Sequence, residues 1–394
     1  MFHKLLLAAA FLLPTVALAQ APANAGLAFD STEVLPDHRV VFRIFAPEAK
    51  AVSVSGEIDV PLRGPLRKDD QGVWSVTLGP LPPDYYTYSF TVDGVRTADP
   101  RNGMFRPGLN SVSNMFLVPG PEAAFQEMQP VPHGELRTVW YDSKALGAQR
   151  RMHVYTPPGY DRANRRYPVL YLLHGNGEDD YSWAVGGRAS VILDNLIASG
   201  KARPMIVVMP NGNIPGASAS AELSARIEAA RKQRDTFIDD LMTGIIPYVE
   251  SSYHVGTDRE SRAIAGFSLG GARTIHIALK HIDRFAYIGV FSMGIVVGST
   301  AGATAIANTA MGSVADFNQE YAAFLADPVK TNRMVKVFWI GSGQVDTPVG
   351  NSPRLLDEAL TARGIRHEYH ETAGGHSYAN WRPYLRDFAQ LLFR

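Results

Sequence analysis

Apolar and polar positions follow two different rhythms along this chain. Residues 39–47, 51–56, 72–78, 85–92 and 114–118 alternate at period two, with Gly, Pro and Asp between the runs. That pattern predicts short strands with one face on a core, and hence a small all-β, immunoglobulin-like sandwich. Residues 97–110 are long, Gly- and Pro-containing and unlike core. Residues 121–135, rich in Pro and Glu, read as a linker. Further on the rhythm changes. Residues 169–173, 262–265 and 335–340 are short apolar runs, as buried strands should be, and residues 272–280 suit a helix. Residues 365–371 alternate like a late, partly exposed strand.

One apolar run ends in Gly266-Phe267-Ser268-Leu269-Gly270-Gly271, directly before the helical segment. Strand, sharp turn and helix are the context in which Gly-x-Ser-x-Gly presents a nucleophilic serine at the top of an α/β-hydrolase sheet. The helix N-terminus beside it favours developing negative charge. Ser268 is therefore the expected nucleophile. The fold fixes the order serine, acid, histidine. Of the late histidines, His367 and His370 lie within the alternating strand, whereas His376 sits in the Gly-rich loop after it. Loops at the carboxyl ends of strands are where such sites are built, so His376 is the expected base. Asp346, in the loop leaving the 335–340 run, is the expected acid. Its competitors are Asp316 and Asp327, with no strand before them, and Asp357 and Glu358, which read as an exposed helix face. The oxyanion hole is expected from the backbone amides of Leu269 and Asn176, with His174 shaping the loop rather than acting as a base.

The segments RMHVYTPPGY (151–160), YPVLYLLHG (167–175), IVVMPNG (206–212), FIDDLMTGIIPY (237–248), RAIAGFSLGG (262–271) and GGHSYANWR (374–382) keep their order through residues 136–394. This half of the chain resembles the putative-esterase family, which includes carbohydrate esterase family 1 (feruloyl and acetylxylan esterases), enterochelin-esterase-like hydrolases, S-formylglutathione hydrolases and mycolyltransferases. The resemblance implies an α/β-hydrolase with a mostly parallel central sheet, and carries Ser268, Asp346 and His376 over as its triad. Residues 213–235, a helix-compatible insertion, and 295–332, small and polar, depart from the family pattern. The strings FRIFAPEAKAVSVSG, GVWSVTLGPLPPDYYTYSFTVDG and ADPRN resemble the early-set, family-48-type carbohydrate-binding module. Trp74, Tyr85, Tyr86 and Tyr88 would then be candidates to stack on sugar rings, although period two turns half of them to a core. The loop 97–110 is expected near the mouth of the hydrolase cleft, because a short linker leaves the two parts little freedom.

Lys and Arg number 38, as do Asp and Glu, so net charge gives no sign of a nucleic-acid or anionic-membrane partner. The start of the chain carries Lys4, an apolar run from Leu5 to Leu13, and Ala17-Leu18-Ala19. That reads as a signal peptide, residues 1–19, cleaved after Ala19, and implies a periplasmic or secreted bacterial protein with no membrane attachment after cleavage. The expected domains are 20–120 for the sandwich, 121–135 for the linker and 136–394 for the hydrolase. Cysteine is absent, so disulfides play no part. Neither metal nor organic cofactor is expected.

Three functional readings follow. The first is a secreted serine esterase acting on feruloyl or acetyl groups of plant cell-wall carbohydrate. The second keeps the chemistry but takes a siderophore or other small ester, or passes the acyl group to a sugar. A cationic pocket would favour a siderophore, with Arg188, Arg273 and Arg382 as contributors. The third is a non-catalytic carbohydrate-binding protein, against which the intact Ser268, Asp346 and His376 weigh.

Overall fold

The computed structural model describes residues 28–57, 62–214, 223–295 and 313–394. The expected signal peptide lies outside them, as do residues 215–222 of the insertion and 296–312 of the small-residue segment. The N-terminal part holds Thr32–Val34 (β1), Val40–Phe45 (β2), Val52–Gly56 (β3), Arg63–Pro65 (β4), Arg67–Lys68 (β5), Val73–Leu78 (β6), Asp84–Val92 (β7), Val95–Thr97 (β8), Phe105–Gly108 (β9) and Ser111–Val118 (β10). They form one sheet in the order β1-β2-β6-β5 and a second in the order β4-β3-β7-β10-β9, with β8 on β7. Side chains from both sheets close on one core, as the period-two pattern requires. Phe42, Tyr88 and Phe116 meet at its centre, with Phe42 ring centroids 5.1 Å from Tyr88 and 5.4 Å from Phe116.

All four aromatic residues offered for sugar stacking are buried: Trp74 is 8% exposed, Tyr85 6%, Tyr86 2% and Tyr88 1%. Trp74 donates its indole N–H to the Ala46 carbonyl, and the hydroxyls of Tyr86 and Tyr88 bond Pro82 and Asp99. None presents a free face to a glycan. The loop expected across 97–110 contains β9, which pairs with β10 and packs against a π-helical turn, Ser182–Gly186.

The larger part is built on an eight-stranded sheet. Its strands are Glu135–Ser143 (β11), Ala148–Thr156 (β12), Val169–Leu173 (β13), Ile206–Pro210 (β14), Arg262–Phe267 (β15), Tyr287–Phe291 (β16), Val337–Gly343 (β17) and Glu368–Thr372 (β18). Their order is β11-β12-β14-β13-β15-β16-β17-β18. β11, β12 and β14 pair antiparallel, and every pair from β14 onward is parallel. The central strands are buried along their whole length, which is why they read as apolar runs rather than alternating ones. One face packs on Ala189–Ala198 (α1) and the helix Tyr378–Ala389. The other packs on Leu223–Asp240 (α2), Ile246–Ser252 (α3), Leu269–Lys280 (α4) and the shorter helices after residue 313.

The stretch between the two parts differs from the linker expectation. Residues 124–126 form a 3-10 turn that is held by side chains of the larger part. Asn195 donates to the carbonyls of Phe125 and Glu127, Arg188 to that of Gln126, and Asp194 accepts from His133 and the Gly134 amide. Pro- and Glu-rich composition signalled a chain without its own core; it did not exclude one docked on a neighbour's surface.

Candidate active site

The turn between β15 and α4 sets the geometry. Ser268 sits at φ 53°, ψ −122°, a left-handed conformation that costs an L-residue energy and persists only where the surroundings enforce it. Gly270 shows how they do. A Cβ there would lie 2.5 Å from the Leu173 carbonyl oxygen and 2.6 Å from that of His174, so the crossing of helix over strand leaves no room for a side chain. The Ser268 amide donates to the Phe291 carbonyl, which fixes the turn from the opposite side.

The structure brings Ser268, His376 and Asp346 together. Ser268 Oγ lies 2.9 Å from His376 Nε2, and His376 Nδ1 lies 2.8 Å from Asp346 Oδ1. Asp346 follows the carboxyl end of β17 and is 3% exposed. A buried carboxylate on Nδ1 holds the imidazole with Nε2 turned to the serine hydroxyl, whose proton it can accept. Trp381 meets the His376 ring edge-on at 5.1 Å and stacks on Phe267 at 3.9 Å with 14° between planes. Its indole N–H bonds the Ser292 hydroxyl, so the wall beside the histidine is rigid. The sequence reasoning did not single out Trp381; its place five residues past His376, in the helix that starts at Tyr378, is the signal that was there.

The loop after β13 approaches Ser268 closely. A Cβ on Gly175 would strike the Phe267 ring at 2.4 Å and lie 3.3 Å from Ser268 Cβ. Leu269 is the first residue of α4, so its N–H has no acceptor within the helix. The Asn176 amide stands one residue beyond Gly175, and among the described residues neither N–H donates to another backbone group. His174 bonds the Gly175 carbonyl through Nδ1 and receives the Gly212 amide on Nε2. Burial, with Arg273 nearby, pushes its pKa down to about 4, so it stays neutral and bridges two loops.

The competing residues have other partners. Asp357 bonds His367, and His370 stacks on Trp339 at 4.9 Å. Asp316 completes a capping box with Ser313, and Asp327 caps the helix Pro328–Met334. The three arginines suggested for a cationic pocket do not converge. Arg382 is fully buried and bonds Asp84, the Tyr85 carbonyl and the Gly186 carbonyl. Arg188 lies over the Tyr85 ring at 3.9 Å, and Arg273 is buried over Phe237 at 4.7 Å.

Comparison with known proteins agrees with this architecture. Residues 143–391 match the family model described as Putative esterase, and residues 26–102 match Carbohydrate-binding module 48 (Isoamylase N-terminal domain). An endo-1,4-beta-xylanase/feruloyl esterase of Xylanibacter ruminicola is 31% identical over 359 residues, which cover 90% of this chain and 44% of that protein. The chain thus spans less than half the length of that curated relative. A ferulic acid esterase of Anaeromyces mucronatus, solved with ferulic acid, is 27% identical with a TM-score of 0.57 and covers 68% of this chain and 95% of its own. The enterobactin esterase of Shigella flexneri shares the fold at 17% identity and a TM-score of 0.62, covering 91% of this chain and 94% of its own. With the family model matched over residues 143–391, more than half of the sequence, the chain belongs to the putative-esterase family.

Proposed function

We propose that this protein is a secreted serine carboxylic-ester hydrolase that removes feruloyl or acetyl groups from plant cell-wall carbohydrate. The observation that carries the chemistry is the unbroken relay from Ser268 through His376 to Asp346 at a strained turn. Ser268 Oγ attacks the ester carbonyl while His376 Nε2 takes its proton. Asp346 stabilises the imidazolium, and the Leu269 and Asn176 amides hold the oxyanion. His376 returns the proton to the departing alcohol; water, deprotonated in turn by His376, releases the acid from the acyl-enzyme. The feruloyl part of the reading is supported by the named activities of the Xylanibacter and Anaeromyces relatives. The siderophore alternative has the fold likeness, but the three arginines offered for its cationic pocket lie elsewhere: Arg188 over Tyr85, Arg273 buried over Phe237 and Arg382 on Asp84. Initial rates on methyl ferulate, 4-nitrophenyl acetate and a linearised siderophore, measured side by side with Ser268→Ala, test the reading. Preference for the siderophore would replace the substrate class, and turnover surviving Ser268→Ala would remove the mechanism.

A further inference from the structure

Besides the Arg382 contacts with Asp84 and Tyr85, the N-terminal sandwich meets the hydrolase at Arg106. Arg106, on β9, bonds the Glu178 carboxylate, and its guanidinium lies over the Tyr378 ring, 4.8 Å from the centroid. Glu178 is two residues past Asn176, and Tyr378 is two residues past His376. The Tyr378 hydroxyl is 3.3 Å from Glu178 and 2.6 Å from Ser182, and the Glu178 carbonyl accepts from Asn213. The side chains of Arg106 and Glu178 are 15% and 17% exposed, sheltered from the screening that makes surface ion pairs nearly worthless. A Cβ on Gly186 would lie 2.7 Å from Arg106 Nε, so the π-helical turn closes over the guanidinium.

We propose that Arg106 is a positioning residue for the esterase centre, clamping the loop that carries the Asn176 amide to the loop that carries His376. The proposal rests on the roles given above to Ser268 and Asn176. The loop needs an external clamp because Gly175 and Gly177, the latter at φ 73°, make its backbone permissive. Oxyanion donors act only when fixed about 2.7–3.1 Å from where the charge develops. A displacement of about 1 Å can cost roughly 100-fold in rate. The hydrolase has other cations, yet the planar guanidinium that both pairs with Glu178 and stacks on Tyr378 comes from the other part of the chain.

The test uses the full chain and two readouts: the rate at which a fluorophosphonate labels Ser268, and kcat against KM for 4-nitrophenyl acetate. Arg106→Met should slow labelling and lower kcat at least about tenfold, with KM within about threefold, because the transition state and not the bound ester loses its donor. Arg106→Lys should recover part of the loss through its charge. Glu178→Gln should also be slow, and Arg106→Met with Glu178→Gln should be no worse than the slower single variant. Arg96→Met is the control, since Arg96 bonds only Ser89 and Ser113 within the sandwich among the contacts seen. Should Arg106→Met not yield folded protein, Arg106→Lys and Glu178→Gln decide. Rates for the Arg106 and Glu178 variants within twofold of the parent, an equal loss in Arg96→Met, or losses that multiply in the double variant would each overturn the proposal. A parent protein that the fluorophosphonate does not label at Ser268 would instead overturn the nucleophile assignment.

Discussion

Replacing Arg382 with Met removes the most deeply buried link between the two parts of the chain. The side chain is 0% exposed and makes one charge-assisted bond to Asp84 Oδ1 at 2.9 Å and two to carbonyls, Tyr85 at 2.8 Å and Gly186 at 2.9 Å. Met keeps most of the length and apolar contact but donates nothing. Asp84 then stays buried with only the Gln126 amide and the Tyr85 N–H as donors. Breaking a buried pair by removing one partner costs about 3–5 kcal/mol, because an uncompensated charge is left behind. The two orphaned carbonyls push the loss toward the upper end. Against a typical total of about 5–15 kcal/mol, that is a large fraction. Urea unfolding followed by tryptophan fluorescence measures it. Trp74 reports the sandwich and Trp183, Trp339 and Trp381 the hydrolase. The double variant Asp84→Asn with Arg382→Met should recover at least about 1 kcal/mol, since no buried charge then lacks a partner. A loss below about 1 kcal/mol for Arg382→Met, or a double variant weaker than the single, would refute the reasoning.

Ser268→Ala and His376→Ala should each lower kcat by about three or more orders of magnitude, and together by little more, with Asp346→Asn costing less; a Ser268→Ala protein keeping over a tenth of parent activity refutes the nucleophile. EDTA should leave the rate unchanged, and a loss that added zinc or calcium restores would refute the metal-free mechanism. His174 gives a stability test. Its folded pKa of about 4 lies below the unfolded value of about 6.5, so the unfolded chain binds more protons between them. Its contribution is present above pH ~6.5 and lost as pH falls toward 4, on the order of 3 kcal/mol. His174→Gln should flatten that part of the urea-stability profile, and coincident profiles would refute it. Deleting residues 20–125 should impair action on polymeric substrate more than on 4-nitrophenyl acetate and lower stability; equal stability and activity would make the sandwich an independent tether.

The parallel strands were legible because burial on both faces writes a continuous apolar run, and the serine turn because its glycines leave a fixed spacing. His376 and Asp346 could be named from loop position, since strand ends converge at one edge of such a sheet. What the chain did not reveal is contact between distant segments. β9 was read as loop because Phe105-Arg106-Pro107-Gly108 has no alternation, and its strand pairing depends on β10 and on the turn at Ser182–Gly186. Tyr85 and Tyr86, adjacent in sequence, point to opposite faces of β7, yet both are buried. Tyr86 meets the sandwich core, and the Tyr85 ring meets Arg188 of the hydrolase. Period two predicts an exposed face only where nothing else covers it.

The docked connector bears on how this molecule can be re-engineered. In a beads-on-a-string enzyme, accessory parts are exchanged by cutting between them and splicing in another. Here residues 124–134 are held by Asn195, Arg188 and Asp194 of the hydrolase, while Gln126 reaches back to Asp84 of the sandwich. A splice that replaces Gln126 loses bonds on both sides. A fusion that preserves these contacts therefore leaves the sandwich, connector and hydrolase together as one inherited unit.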